Sequence, residues 1–154
     1  MPHAPMPSQD DLDHIMEVMD AAFEPAFGEA WTRRQVSDAL VMGNCHYALA
    51  EDAGKPCGFT LSRHTLDEEE LLLIAVHPHA RRRGIARHLL DNLFTAAKHR
   101  GALRLFLEMR ENNPALHLYE TASFLPVGRR PGYYKDGKGG CIDAITFLRD
   151  LNTP

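Results

Sequence analysis

The chain has 154 residues, 44% of them hydrophobic and 25% charged, the balance of one globular domain and neither that of a disordered chain nor that of a bilayer-embedded one. Its net charge is −4, a sign opposed to nucleic-acid binding, which draws most of its affinity from neutralising phosphate. Three cysteines without C-x-x-C spacing fit free thiols in a reducing, cytoplasmic setting, and no apolar run approaches the 18 residues of a spanning helix, so no membrane partner is expected.

Met1 to Pro7 is Pro-rich and lacks the basic and apolar segments of a signal peptide, so it reads as a flexible tail. Ser8 followed by Asp11 offers a helix cap, and Leu12, Ile15, Met16, Met19 and Phe23 recur at helical spacing. Pro25 and Gly28 end that helix. Thr32 with Gln35 is a capping box that opens a second helix through Val36, Ala39 and Leu40 to Gly43. The intervening segment, Glu24 to Trp31, is a loop between helices. Cys45–Glu51 and Cys57–Arg63 read as a hairpin around Gly54.

Asp67 to Glu70 is a run of four acids, taken as a solvated turn. The six apolar residues from Leu71 to Val76 predict a central strand covered on both faces. After Pro78 come three arginines and Gly84, and then a long helix carrying Ile85, Leu89, Leu90, Leu93, Phe94 and Ala97 that closes at Gly101. Leu103 to Arg110 predicts a second buried strand with Leu103, Leu105, Leu107 and Met109 inward; strand, helix, strand makes a parallel crossover. A short helix through Ala115 and Tyr119 follows Pro114. Two final strands, Leu125–Arg129 and Asp143–Leu148, flank Arg130–Gly140, which is too long for a tight hairpin and predicts a binding loop.

Arg81-Arg82-Arg83-Gly84-Ile85-Ala86 lies between a buried strand and a helix start, where unpaired N–H groups and the positive end of the helix dipole favour a phosphate or pyrophosphate. On the basic cluster alone, an ordinary solvated turn fits equally well. The spacing is neither that of a P-loop nor that of a dinucleotide fingerprint.

Arg81-x-x-Gly84-x-Ala86 after a buried strand, then Asn112, Ala115, Leu118, Tyr119 and Phe124 after the next, resembles the acetyl-CoA-binding core of the Gcn5-related N-acetyltransferase (GNAT) superfamily. The order of elements follows that family over residues 8–149, expected to form one domain. Glu68–Val76, Leu107–Arg110, Tyr133-Tyr134 and Asp143–Ile145 resemble more narrowly the bacterial ribosomal-protein alanine N-acetyltransferases. The resemblance implies an α/β fold with a mixed, mostly antiparallel sheet of six to seven strands, a central splayed parallel pair, and about four flanking helices. It implies acetyl-CoA held by Ile74, Ala75 and Val76, by the loop Arg81, Arg82, Arg83, Gly84, Ile85, Ala86 and Arg87, and by Asn112, with Asn113 the alternative. It places a peptide or protein N-terminus, a ribosomal protein among the candidates, against Glu24, Trp31, Tyr133 and Tyr134.

An α-amine has a pKa of about 7.7–8.0 and must lose a proton before it attacks a thioester. The resemblance gives that task to Glu108 and protonation of the departing thiolate to Tyr119; on position alone Glu108 also reads as a surface carboxylate paired with Arg104 or Arg110. A small-molecule amine acetyltransferase and a non-catalytic acyl-CoA-binding module are the competing readings. Ser123 stands where the motif has Gly, so a positive φ there carries strain. No metal site is expected, since His77 and His79 lack a third ligand.

Overall fold

The computed structural model describes residues 8–23, 28–135 and 137–152. The expected N-terminal tail and Glu24 lie outside these residues. Ser8 caps α1 (Gln9–Ala22) by accepting from the Asp11 N–H, and Thr32 and Gln35 form the expected reciprocal capping box of α2 (Arg33–Val41). A hairpin follows, β1 (Cys45–Asp52) and β2 (Lys55–Thr65), and then β3 (Glu68–Val76), α3 (Ile85–His99), β4 (Arg104–Arg110), α4 (Leu116–Thr121), β5 (Leu125–Lys135) and β6 (Cys141–Asp150). Six strands form one sheet in the order β1-β2-β3-β4-β6-β5, antiparallel throughout except for β3 beside β4. Among the described residues the expected mixed sheet with four helices is what forms.

The sheet separates two cores. Leu12, Ile15, Val18 and Met19 of α1 and Val36 and Leu40 of α2 bury Phe59, Leu61, Leu73 and Ala75 on one face. On the other, Leu90, Leu93, Phe94 and Ala97 of α3 cover Leu71, Leu105, Leu107 and Phe147. Strand β3 contributes to both because of a bulge: Leu61 faces Leu73 while Ser62 faces Leu71, leaving Leu72 as an extra residue. An inserted residue reverses the alternation of side chains, so Leu71 points at α3 whereas Leu73 and Ala75 point at α1.

Three expectations need correction. Glu68, Glu69 and Glu70 belong to β3 rather than to a turn, and Glu69 is 1% exposed. It is tolerated there because Arg100 Nε donates to it at 2.8 Å, as does Ser62 Oγ at 2.8 Å. Most of the presumed loop after Arg130 is strand: β5 runs to Lys135, with an interruption in its ladder between Arg130 and Tyr134. Leu103 precedes β4 and is exposed.

Candidate active site

Strands β3 and β4 pair only from Glu68 with Arg104 to Leu71 with Leu107. Beyond that point they part, and the β4-facing backbone edge of Leu72 to Val76 has no strand partner, although its other edge stays paired with β2. A cavity of about 410 Å³ opens in the fork, lined by Ile74, Ala75, Val76, Arg81, Asn113, Pro114, Ala115 and Tyr119 together with Ala22, Phe23, Glu29 and Arg110. An extended ligand with amide groups fits this edge, because it satisfies backbone donors and acceptors as an added strand does.

Tyr119, on α4, is buried against Phe124, ring centroids 5.6 Å apart, and its hydroxyl has no hydrogen-bond partner among the described residues. Burial, and then the nearby Glu29 charge, push its pKa well above that of a free phenol, so it holds its proton throughout the neutral range. Asn113 lines the cavity, while Asn112 is exposed and accepts from Arg110 Nη1 at 2.8 Å. Asn113 Oδ1 accepts from the Ala115 N–H at 2.9 Å and so organises the entry into α4.

Glu108 is the first β4 residue past the last parallel pair. It projects to the α1 side of the sheet, opposite to Leu107, and lines a neighbouring groove of about 420 Å³ with Glu68, Glu70, Phe106, Arg130 and Thr146 rather than the fork cavity itself. Its side chain is 19% exposed, with Arg130 Nε 3.1 Å from Oε2. The alternative pairing with Arg104 or Arg110 does not occur: Arg104 meets Asp67 and Glu68, and Arg110 meets Glu29 at 3.2 Å. Tyr134 is half-buried, and burial, then the charges of Glu108 and Glu29, raise its pKa to about 12. Both carboxylates therefore act on this one ring.

The basic turn is built by backbone. Arg82 and Gly84 have φ of +66° and +76°, and α3 begins with no side chain capping it. Its first-turn N–H groups stay available to an anion. The arginines spread apart: Arg81 reaches the fork cavity and donates to the Ala22 carbonyl, Arg83 pairs with Asp52 at 3.0 Å, and Arg87 pairs with Asp91 and donates to the Thr121 carbonyl. Gly84 and Ile85 line a separate surface cavity with Arg83, and Ala86 lies in the first turn of α3.

Trp31 packs on the core beneath α1 and α2 instead of lining the fork. Tyr133 is 54% exposed, edge-on to Tyr134 at 5.1 Å. The pair of Glu29 and Arg110 escaped sequence reasoning, which considered Arg110 only as a partner of Glu108. They are 81 positions apart, and no local pattern links them; Arg110 ending a buried strand was the only available hint. Among the described residues no three His, Cys, Asp or Glu side chains converge on a metal site, and His77 stacks on His79 at 4.7 Å. No helix among them is long and apolar enough to cross a membrane.

A family model described as the acetyltransferase (GNAT) family matches residues 12–124. The N-alpha-acetyltransferase RimI of Mycobacterium tuberculosis is 34% identical over 131 residues, 82% of this chain and 79% of that one. The [ribosomal protein bS18]-alanine N-acetyltransferase of Escherichia coli K12 is 38% identical over 92 residues, which span 58% of this chain and 62% of that relative. Among solved structures, the ribosomal-protein-S18-alanine N-acetyltransferase from Escherichia coli superposes with a TM-score of 0.82 at 29% identity, covering 97% of this chain and 94% of that one.

Proposed function

The chain belongs to the GNAT acetyltransferase family, and from that premise we propose that it acetylates the N-terminal α-amine of a protein or peptide, with Glu108 as base and Tyr119 as acid. Its activity class is acetyl-CoA-dependent N-acetyl transfer. The observation that carries the finer reading is the fork: a buried, protonated tyrosine lies inside it and a partly buried carboxylate stands on β4 at the point where the strands part.

In this reading the free edge of Ile74, Ala75 and Val76 holds the pantetheine amides, and the capless start of α3 with the Arg81–Arg87 turn holds the pyrophosphate. Asn113, and not Asn112, is the asparagine at the reactive end, since it lines the cavity. Glu108 takes a proton from the acceptor's ammonium, directly or through one water. The freed amine forms a bond to the thioester carbonyl carbon, and a backbone N–H near Val76 stabilises the oxyanion. As the C–S bond breaks, Tyr119 supplies the proton to the thiolate, the excess proton on the new amide nitrogen returns through solvent to the Tyr119 oxygen, and Glu108 gives its own proton to water. Tyr133 and Tyr134 flank the acceptor. The names of the relatives support a ribosomal N-terminus beginning with alanine as its class of acceptor.

The purified protein is expected to release CoA from acetyl-CoA when given a short peptide that begins with alanine. Glu108→Gln is expected to lower kcat by about 10²–10⁴-fold at neutral pH, the usual contribution of a general base. An unchanged rate and pH profile in that variant removes Glu108 from the reaction.

A further inference from the structure

An amine that gives its proton to Glu108 must approach as an ammonium, yet Glu108 already carries a cation. Arg130 Nε lies 3.1 Å from Oε2, and Thr146 Oγ1 falls on the same oxygen at 3.5 Å. The contact is an ion pair without a well-aligned hydrogen bond, not the two-pronged fork that makes arginine–carboxylate pairs strong. Its side chain is 60% exposed, so the bond is of the weak, exchangeable kind. The same guanidinium stands over the Tyr133 ring, 4.8 Å from its centroid, and a cation is held there independently of Glu108. Arg130 is the last residue in register, opposite Ala144, before the interruption of the β5–β6 ladder that contains Tyr133.

We infer that Arg130 is a specificity-determining residue of the acceptor site: its guanidinium holds the place of the acceptor's α-ammonium on Glu108 and yields it, keeping the Tyr133 face, when the amine arrives. The inference rests on Glu108 as the base. Two cations beside one carboxylate repel, so an acceptor without a positive terminus cannot displace Arg130, and the neutral amide product leaves Glu108 to be reclaimed. Glu29 does not do this, because its partner Arg110 is only 10% exposed and is held by Asn112 as well.

The test measures KM and kcat for an alanine-initiated peptide in the wild type, Arg130→Gln and Arg130→Lys. Removing the competing cation in Arg130→Gln is expected to lower the peptide KM about two- to fivefold, the range of an exposed ion pair, with kcat within a factor of two. Arg130→Lys keeps the cation and should hold KM near the wild-type value. Methylguanidinium should act on Arg130→Gln as a competitive inhibitor against the peptide and return KM toward the wild type. A KM that is unchanged or raised in Arg130→Gln overturns the inference, as does a fall in kcat, which marks Arg130 as an orienter of Glu108. Glu108→Gln is assayed alongside: full activity there defeats the base assignment, whereas a failure confined to Arg130 leaves that assignment standing.

Discussion

Tyr119 and Ser123 are two residues on either side of one short turn, and their environments lead to opposite expectations. The Tyr119 hydroxyl is buried in the fork with a raised pKa, so it keeps its proton across the neutral range, as the proposed acid must. Tyr119→Phe keeps the edge-on contact with Phe124 and removes only that donor. A departing alkylthiolate leaves tolerably well unaided, so the loss in kcat is expected at the low end for acid catalysis, about 10–10²-fold; steady-state CoA release measures it. Ser123 has a φ of +69°, as its place in the motif foreshadowed. A side chain in the left-handed region costs roughly 1–2 kcal/mol, and glycine returns roughly half of that to the unfolded state. Ser123→Gly should therefore stabilise the protein by ~0.5–1 kcal/mol, seen as a Tm ~1–4 °C higher, and a lowered Tm is the contrary result.

The parallel pair is fastened at its closed end and free at the other. Glu69 lies in the paired part of β3 and is clasped by Arg100, just past α3, and by Ser62 of β2. Burial pushes its carboxyl up, but the hydrogen bonds from Arg100 and Ser62 outweigh this and hold the pKa below the usual glutamate range. A carboxylate with a depressed folded pKa contributes stability that is complete above its unfolded value, about 4.3, and is lost as pH falls through the folded value. Glu69→Gln should then cost ~2 kcal/mol at pH 7, below the range for fully buried pairs because Arg100 is partly exposed. Its Tm should converge on that of the wild type as the pH is lowered below about 4; a constant gap down to pH 2 contradicts the clasp. The sequence disclosed the helices well, because caps such as Ser8 and Thr32 and the heptad-like spacing in α3 are local. It did not disclose Glu69 in a strand, because its partner Arg100 is 31 positions away, and a run of acids has no local reason to be buried. The β3 bulge was equally silent: six apolar residues announce two covered faces but not the position at which the alternation reverses.

At the scale of the molecule, a net charge of −4 conceals how charge is arranged. The basic turn is distributed over the fork, the α3 start and the flank of α4, while Glu29 and Glu108 lie around Tyr134. Cations therefore gather where an anionic co-substrate would lie, whereas around Tyr134 each carboxylate carries an arginine, Arg110 on Glu29 and Arg130 on Glu108. The motif of the fork was readable from order and spacing, and Asn113 as its lining residue follows from α4 beginning only at Leu116. The proposed acceptor side was read less fully, because its residues come from three separate elements: Glu29 after α1, Glu108 on β4 and Tyr134 on β5. The central claim is that these elements direct acetyl transfer to an α-amine. The direct measurement is tandem mass spectrometry of a peptide that begins with alanine and carries an internal lysine, after incubation with acetyl-CoA and the purified protein. A single acetyl group on the alanine nitrogen, abolished when that terminus is blocked beforehand, is the predicted result. Acetylation of the lysine in the blocked peptide, or faster transfer to free alanine than to the peptide, contradicts the account.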